Sequence, residues 1–158
     1  MVLRVRDVMV TNVVTLQSDQ TVKDAARLMS EYGIGCLVIL EDGRAVGMVT
    51  ERNMLDRVIA VAADPEKTLV GQIMSKPVVT VEPDTVLEDA VKLMFNHRIK
   101  KLPVVERSGA ESKLVGLVTL TDIARLHPAL IEMLKGLFET MRENPPKHME
   151  KVMNYYIV

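Results

Sequence analysis

The sequence predicts a mixed α/β (α+β) fold: two pseudo-two-fold-related β-α-β-β-α copies followed by a helical C-terminal tail. Three observations predict it. A length of 158 residues with 48% apolar side chains amounts to one compact unit, or two small ones sharing a core. A chain of that length buries roughly 68–70% of its extended surface, so it needs no metal or disulfide staple. Val5–Glu41 overlays Val70–Glu106 at a constant offset of 65 without a gap, and 13 of those 37 positions are identical, where composition alone would supply about two or three. Finally, each copy passes through the same succession of apolar periodicities. Two copies are too few for a solenoid, so a pseudo-two-fold pair follows.

The elements follow in order. Short extended runs, Val13–Leu16 and Val78–Val81, open the copies. The first helices are marked by Val22, Ala25, Ala26 and Met29 at i, i+3, i+4, i+7, and by Leu87, Ala90, Val91 and Met94 in the second copy, one apolar stripe each. Thr85-Val-Leu-Glu88 predicts a capping box at the second of these helices. Cys36–Leu40 and Leu102–Val105 are short and apolar, with β-branched Val38, Ile39, Val104 and Val105, and Ala45–Thr50 and Leu114–Thr119 follow across turns, which predicts buried strand pairs. The offset then becomes 69, because Arg107–Lys113 is four residues longer than Asp42–Arg44; a surface hairpin tolerates such an insertion. Closing helices are predicted over 51–62 and 120–126. They are bounded by Asp64-Pro65 and His127-Pro128, since the residue before proline leaves the helical region. Beyond the repeat, Leu130, Met133, Leu134, Leu137, Phe138 and Met141 form an amphipathic stripe up to Asn144-Pro-Pro146, and a shorter one follows at Met149, Val152, Met153 and Tyr156. Such a face is expected to pack on its own module or to complete a dimer, rather than to capture a separate partner. The domain boundaries expected are 1–64, 65–127 and 128–158.

Composition excludes several function classes. Twenty basic against 21 acidic side chains leave a formal charge of −1, which argues against charge-driven binding of nucleic acid or an anionic membrane. Aromatics are 3% of the chain and Trp is absent, so a base-stacking surface is not expected. One cysteine and three histidines make neither an internal disulfide nor a Cys/His zinc site, and point to a reducing cytosol. The N-terminus is charged where a signal peptide has its apolar core, and no run approaches the roughly 18 apolar residues of a membrane span; a cytoplasmic, membrane-free protein is expected. There is no Walker loop, no nucleophile elbow and no His-Glu-x-x-His, so no catalytic machinery is expected. Cys36 lies among Ile, Leu and Val and reads as a core residue.

The positions that carry chemistry are duplicated. Gly47-Met-Val-Thr-Glu-Arg-Asn53 is repeated as Gly116-Leu-Val-Thr-Leu-Thr-Asp122. A strand ending in Thr feeds a helix whose first N–H groups lack intrahelical partners, a place that attracts phosphate. Three residues on, Asn53 or Asp122 lies beside the same helix start. A carboxylate accepts both hydroxyl protons of a ribose diol, whereas an amide offers one acceptor and a donor, so the Asp122 cleft is expected to be favoured. For a single instance the alternative is an ordinary helix cap; duplication tips the balance to a ligand site. Gly47 and Gly116 mark either a hairpin or the close approach of another backbone or a ligand. Cations are asymmetric: Arg98, Lys100 and Lys101 stand where the first copy has Gly33, Gly35 and Cys36, and Arg52 lies inside the first turn. They either meet phosphates or form a solvated loop.

With these residues in place, the chain over about 5–127 resembles a tandem pair of CBS domains, the Bateman module. The matching motifs are Val8-Met9 and Ile73-Met74, Val13-Val14-Thr15 and Val78-Val79-Thr80, Ile99-Lys-Lys-Leu-Pro-Val104, and the two Gly-h-h-Thr-x-x-Asp/Asn turns. The resemblance implies an adenosine nucleotide (AMP, ADP or ATP) as ligand, with no obligatory cofactor. The base would lie against Val13, Val14, Val78, Val79 and the backbone near Cys36 and Leu102. The implied ligand-binding set is Thr15, Thr50, Arg52, Asn53, Val78, Thr80, Lys100, Lys101, Pro103, Thr119 and Asp122. The resemblance further implies a stand-alone regulatory homodimer that signals occupancy to a protein partner and is not an enzyme. Two rival readings are a module for S-adenosylmethionine or NAD, and a ligand-free scaffold that associates through its C-terminal helices.

Overall fold

The computed structural model describes residues 2–130 and residue 132. The chain divides into two compact units, Met1–Leu120 and Thr121–Val158. The first contains a short 3₁₀ turn at Val5–Asp7, then β1 (Thr15–Gln17), α1 (Val22–Tyr32), β2 (Cys36–Glu41), β3 (Arg44–Thr50) and α2 (Glu51–Met54). It continues with α3 (Val70–Ile73), α4 (Leu87–His97), β4 (Lys101–Ser108) and β5 (Glu111–Thr119). Next in the chain is α5 (Leu120–Leu126), the helix that belongs mostly to the second unit, with Asp122 in its first turn and Ile123 fully buried. The fold is therefore mixed α and β, as the periodicities require. The stripe residues from Met133 to Tyr156 lie outside the described residues. Among the described residues no helix is long and apolar enough to cross a membrane.

In the first copy β1 runs parallel to β2 and β2 antiparallel to β3. In the second, β4 pairs with β5 and the extended run shrinks to one parallel bridge, Val81 to Val104. Pro103 accounts for the difference. It aligns with Val38, whose N–H donates to Val14 O at 3.4 Å, and proline has no N–H to give. The four extra residues do not enlarge the loop. They lengthen β4 and β5 to 8 and 9 residues, against 6 and 7 for β2 and β3, and both hairpins turn on two residues, 42–43 and 109–110. Asp42 and Gly43 both have positive φ (47° and 76°), the turn whose twist matches the flanking strands. A bulge follows Ile39 and, at the aligned position, Val104.

The closing helix predicted over 51–62 is regular only for Glu51–Met54 and then widens into a π turn at Leu55–Ile59. The predicted capping box at Thr85 does not form. The N-cap of α4 is Val86, which offers no side-chain cap, and the Thr85 hydroxyl instead accepts from Glu82 N–H at 3.2 Å. The aligned start of α1 has the box: Thr21 Oγ1 accepts from Asp24 N–H (3.1 Å) and donates to the Asp24 carboxylate (2.7 Å). Those Thr21 bonds, side chain first and backbone second, hold the Asp24 carboxyl below its ordinary pKa. A lowered folded-state pKa stabilises the fold above the ordinary value of 3.8, and that contribution is lost as acid protonates the group. Val86→Thr places the missing hydroxyl three residues before Asp89. It is expected to raise stability by about 0.5–1 kcal/mol in urea unfolding; an unchanged midpoint would refute the capping account.

The β2 strand is buried on both faces, which is why it reads as a continuous apolar run. Leu37 and Ile39 join Val22, Ala25, Met29, Val49 and Val58, together with Val70, Ile73 and Met74 from the second copy. Cys36, Val38 and Met48 face Val78, Leu114 and Leu117. The copies thus share their cores, and their lead-in segments are exchanged. Val5 N–H donates to Thr85 O (2.9 Å) and Leu87 N–H to Leu3 O (2.9 Å); at the aligned positions Val70 N–H donates to Gln20 O (2.8 Å) and Val22 N–H to Thr68 O (2.9 Å). Further along, Val10 and Leu117 exchange two bonds of 2.9 Å, and Ser75 and Met48 exchange bonds of 2.8 and 3.2 Å.

Candidate functional site

The first Gly-h-h-Thr-x-x-Asn turn lies at the junction of β3 and α2. At Gly47 the second copy lies directly against the strand. A Cβ there would lie 2.5 Å from Met74 Sδ and 3.0 Å from Ser75 O, and one on Gly116 would lie 2.8 Å from Met9 Sδ and 3.0 Å from Val10 O. Of the alternatives left open by the sequence, the glycines thus serve the approach of another backbone. Thr50 is the N-cap of α2. Its N–H and its hydroxyl both donate to Asn53 Oδ1 (2.9 and 3.1 Å), and Thr50 Oγ1 accepts from Asn53 N–H (3.2 Å). Asn53 is 7% exposed, the one buried polar side chain among the described residues. Its Nδ2 donates across to Ser75 Oγ at 3.1 Å. Both polar atoms of the amide are therefore engaged within the protein.

Two charged groups flank this turn. Arg52 Nε donates to Asp56, four residues on in the π turn, at 2.7 Å, and this hydrogen bond tightens the guanidinium's hold on its proton. Both partners are largely exposed, and such pairs contribute little to stability. Glu51 sits at the helix start with its carboxylate carbon 3.4 Å from where a Gly35 Cβ would stand, a charge that repels phosphate.

The other expected residues are dispersed. Thr15 opens β1 opposite Val38, and Val78 is half-buried against Cys36, Val38 and Met48. Lys101 opens β4 opposite Thr119, and Pro103 is buried opposite Leu117. Lys100 is exposed and its carbonyl accepts from Leu120 N–H at 2.9 Å. Arg98 is exposed as the left-handed C-cap of α4, φ 55°, where a cation suits the helix dipole. Thr80 faces an open groove of about 570 Å³ whose charged wall is Glu82, Asp84, Asp89 and Arg107. Three carboxylates against one guanidinium suit no phosphate, and Thr15, Thr50, Asn53, Lys100 and Lys101 do not line it. Thr119 ends β5 in the first unit and Asp122 follows in the first turn of α5.

Sequence reasoning missed Ser75, Glu51 and Arg57. Arg57 Nη1 donates to Ile73 O (2.7 Å) and Met74 O (2.9 Å), so a side chain of the first copy closes the carbonyl end of α3 in the second. The available signal was a broken repeat: Ser75, Glu51 and Arg57 align with Val10, Leu120 and Leu126. A polar residue facing an apolar one across the repeat marks a contact that only one copy makes.

Comparison with known proteins agrees with the duplication. The model of the CBS domain family matches this chain twice, over residues 5–60 and 70–128. The CBS domain-containing protein YhcV of Bacillus subtilis is 38% identical over 120 residues, 76% of this chain and 82% of its own length. An uncharacterised protein of Methanopyrus kandleri is 35% identical over 133 residues, 84% of this chain; the match spans 66% of that protein. Among solved structures, the CBS domain pair of protein MJ0100, in complex with 5′-methylthioadenosine and S-adenosyl-L-methionine, superposes with a TM-score of 0.69 at 26% identity. That match covers 82% of this chain and 98% of the other.

Proposed function

This chain belongs to the CBS domain family and carries a tandem pair of the domains, a regulatory ligand-binding module, and we propose that its ligand is an adenine nucleotide. The observation that carries the reading is the duplicated Gly-h-h-Thr-x-x-Asp/Asn motif, which in each copy spans the end of a strand and the start of a helix. A carboxylate three residues into such a turn has the acceptors to take a ribose diol, and Asp122 supplies it in the second copy. In this reading residues 1–64 and 65–127 are the two domains, and the working unit is a non-enzymatic cytoplasmic homodimer. Occupancy then passes to a protein partner by differential affinity for two arrangements of the module.

A second ligand reading has its own support. The MJ0100 pair binds S-adenosyl-L-methionine and 5′-methylthioadenosine, which share the adenosyl group and so the same diol. Calorimetric titration of protein freed of copurified ligand with AMP, ADP, ATP, NAD and S-adenosylmethionine separates the two. Saturable binding of an adenylate, unaffected by S-adenosylmethionine as competitor, is expected. Preference for the sulfonium compound would transfer the module to the second reading, and no binding at all would favour the scaffold.

A further inference from the structure

We propose that the two arrangements of the module differ at one seat: the Met9–Val10 end of the first lead-in segment lifts from Gly116–Leu117 of β5, while Met74–Ser75 stays fixed on Gly47–Met48 of β3. The proposal rests on the regulatory reading for there being two arrangements, and on the bonds around each seat for where they part.

In their backbones the two seats are equals. Val10 and Leu117 exchange two bonds of 2.9 Å, and Ser75 and Met48 exchange bonds of 2.8 and 3.2 Å. Side chains make them unequal. Arg57 Nη1 reaches from the first copy to Ile73 O and Met74 O at 2.7 and 2.9 Å, and Ser75 Oγ accepts from Asn53 Nδ2 at 3.1 Å. Aligned with Arg57 and Ser75 are Leu126 and Val10, whose side chains have neither donor nor acceptor. The methionines follow the same order. Met74 is buried in the main core cluster, its sulfur 2.5 Å from where a Gly47 Cβ would stand, whereas Met9 is half-buried and 2.8 Å from that of Gly116. The first segment is tied at its start instead: Arg6 pairs with Asp84, Arg4 donates to Asp84 O, and Val5 is fully buried. It is therefore anchored at Val5 and held at Val10 by two backbone bonds, with the Val10 side chain 46% exposed. Local opening begins where the fewest buried contacts hold the chain. Lifting Val10 bares the Leu117 N–H and C=O on the edge of β5, and an uncovered strand edge is a surface that another chain reads.

Native-state hydrogen exchange of the full chain, followed by NMR, tests the seat. The Val10 and Leu117 amides are expected to be protected about tenfold less than those of Met48 and Ser75, the difference that one additional good contact makes. Equal protection, or the reverse order, would overturn the proposal. Arg57→Leu gives the Met74 seat the residue of the Met9 seat and is expected to remove most of that difference, with Val10 and Leu117 unchanged. If it does not fold, Arg57→Lys, which reaches one carbonyl instead of two, is expected to remove part of it; a difference that survives in the folded variant would overturn the account of what fixes the seat. Saturation with AMP, ADP or ATP is expected to change protection at Val10 and Leu117 several-fold and to leave Met48 and Ser75 as they were. A bound nucleotide that moves the Met48–Ser75 pair instead would overturn the proposal. Should no adenylate bind, the ligand reading falls, and the order of protection in the free chain alone decides the seat.

Discussion

Asp122→Ala is expected to weaken adenine-nucleotide binding by roughly ten- to a hundredfold, the equivalent of about 1.5–3 kcal/mol for hydrogen bonds to a charged group. The contrast with Asn53 supplies the reason. An ionised carboxylate has two oxygens and about four acceptor sites, enough to serve a helix start and still take two hydroxyl protons. The amide of Asn53 has one oxygen, already occupied by Thr50. Asp122→Asn is expected to lose most of the same affinity, because an amide nitrogen turned toward the diol offers a donor where an acceptor is needed. A deoxyribonucleotide lacking one hydroxyl should lose affinity for wild type and little for Asp122→Ala. The calorimetric comparison of ribo- and deoxyribonucleotide on both proteins checks the assignment: if Asp122→Ala discriminates between the sugars as well as wild type does, the carboxylate is not the ribose acceptor.

Gly47→Ala is expected to destabilise the fold by about 1–3 kcal/mol, the usual range for overpacking a filled interior, and Gly116→Ala by less. Both substitutions drive a methyl group toward a methionine sulfur and a carbonyl oxygen of the other copy. The oxygens, Ser75 O and Val10 O, are held by bonds from Met48 and Leu117, so neither backbone retreats without losing its bridge. The sulfurs differ. Met74 is 7% exposed within the main core cluster, with no room to swing aside, whereas Met9 is only half-buried and its flexible end yields more readily. Urea unfolding of both variants, compared by midpoint at constant m-value, tests this. A larger loss in Gly116→Ala would show that side-chain freedom does not set the cost.

Much of this protein was legible in its sequence because the information is local or repeated. The apolar stripes of α1 and α4, the strand pairs around 36–50 and 102–119, and the position of each Thr-x-x-Asp/Asn turn follow from periodicity within a dozen residues, and the offsets of 65 and then 69 give each of these elements a twin in the other copy. Where local rules failed, a specific competitor prevailed. The N-cap of α4, Val86, falls one residue after the Thr85 expected there, because Val5 N–H and Leu3 O of the other copy bind the chain on either side of Val86. The second extended run is curtailed by the missing N–H of Pro103.

The sequence by itself determined the repeat, the family resemblance, the element order and the candidate positions for a ribose. Only the tertiary structure decided what those positions touch. Asn53 and Ser75 are 22 residues apart, Gly116 and Val10 more than a hundred, and nothing in either neighbourhood announces the other. Side-chain identity states how many hydrogen bonds a group can make; the exchanged lead-in segments determine which partners take them. In the first copy that exchange consumes the amide that sequence reading assigned to a ligand.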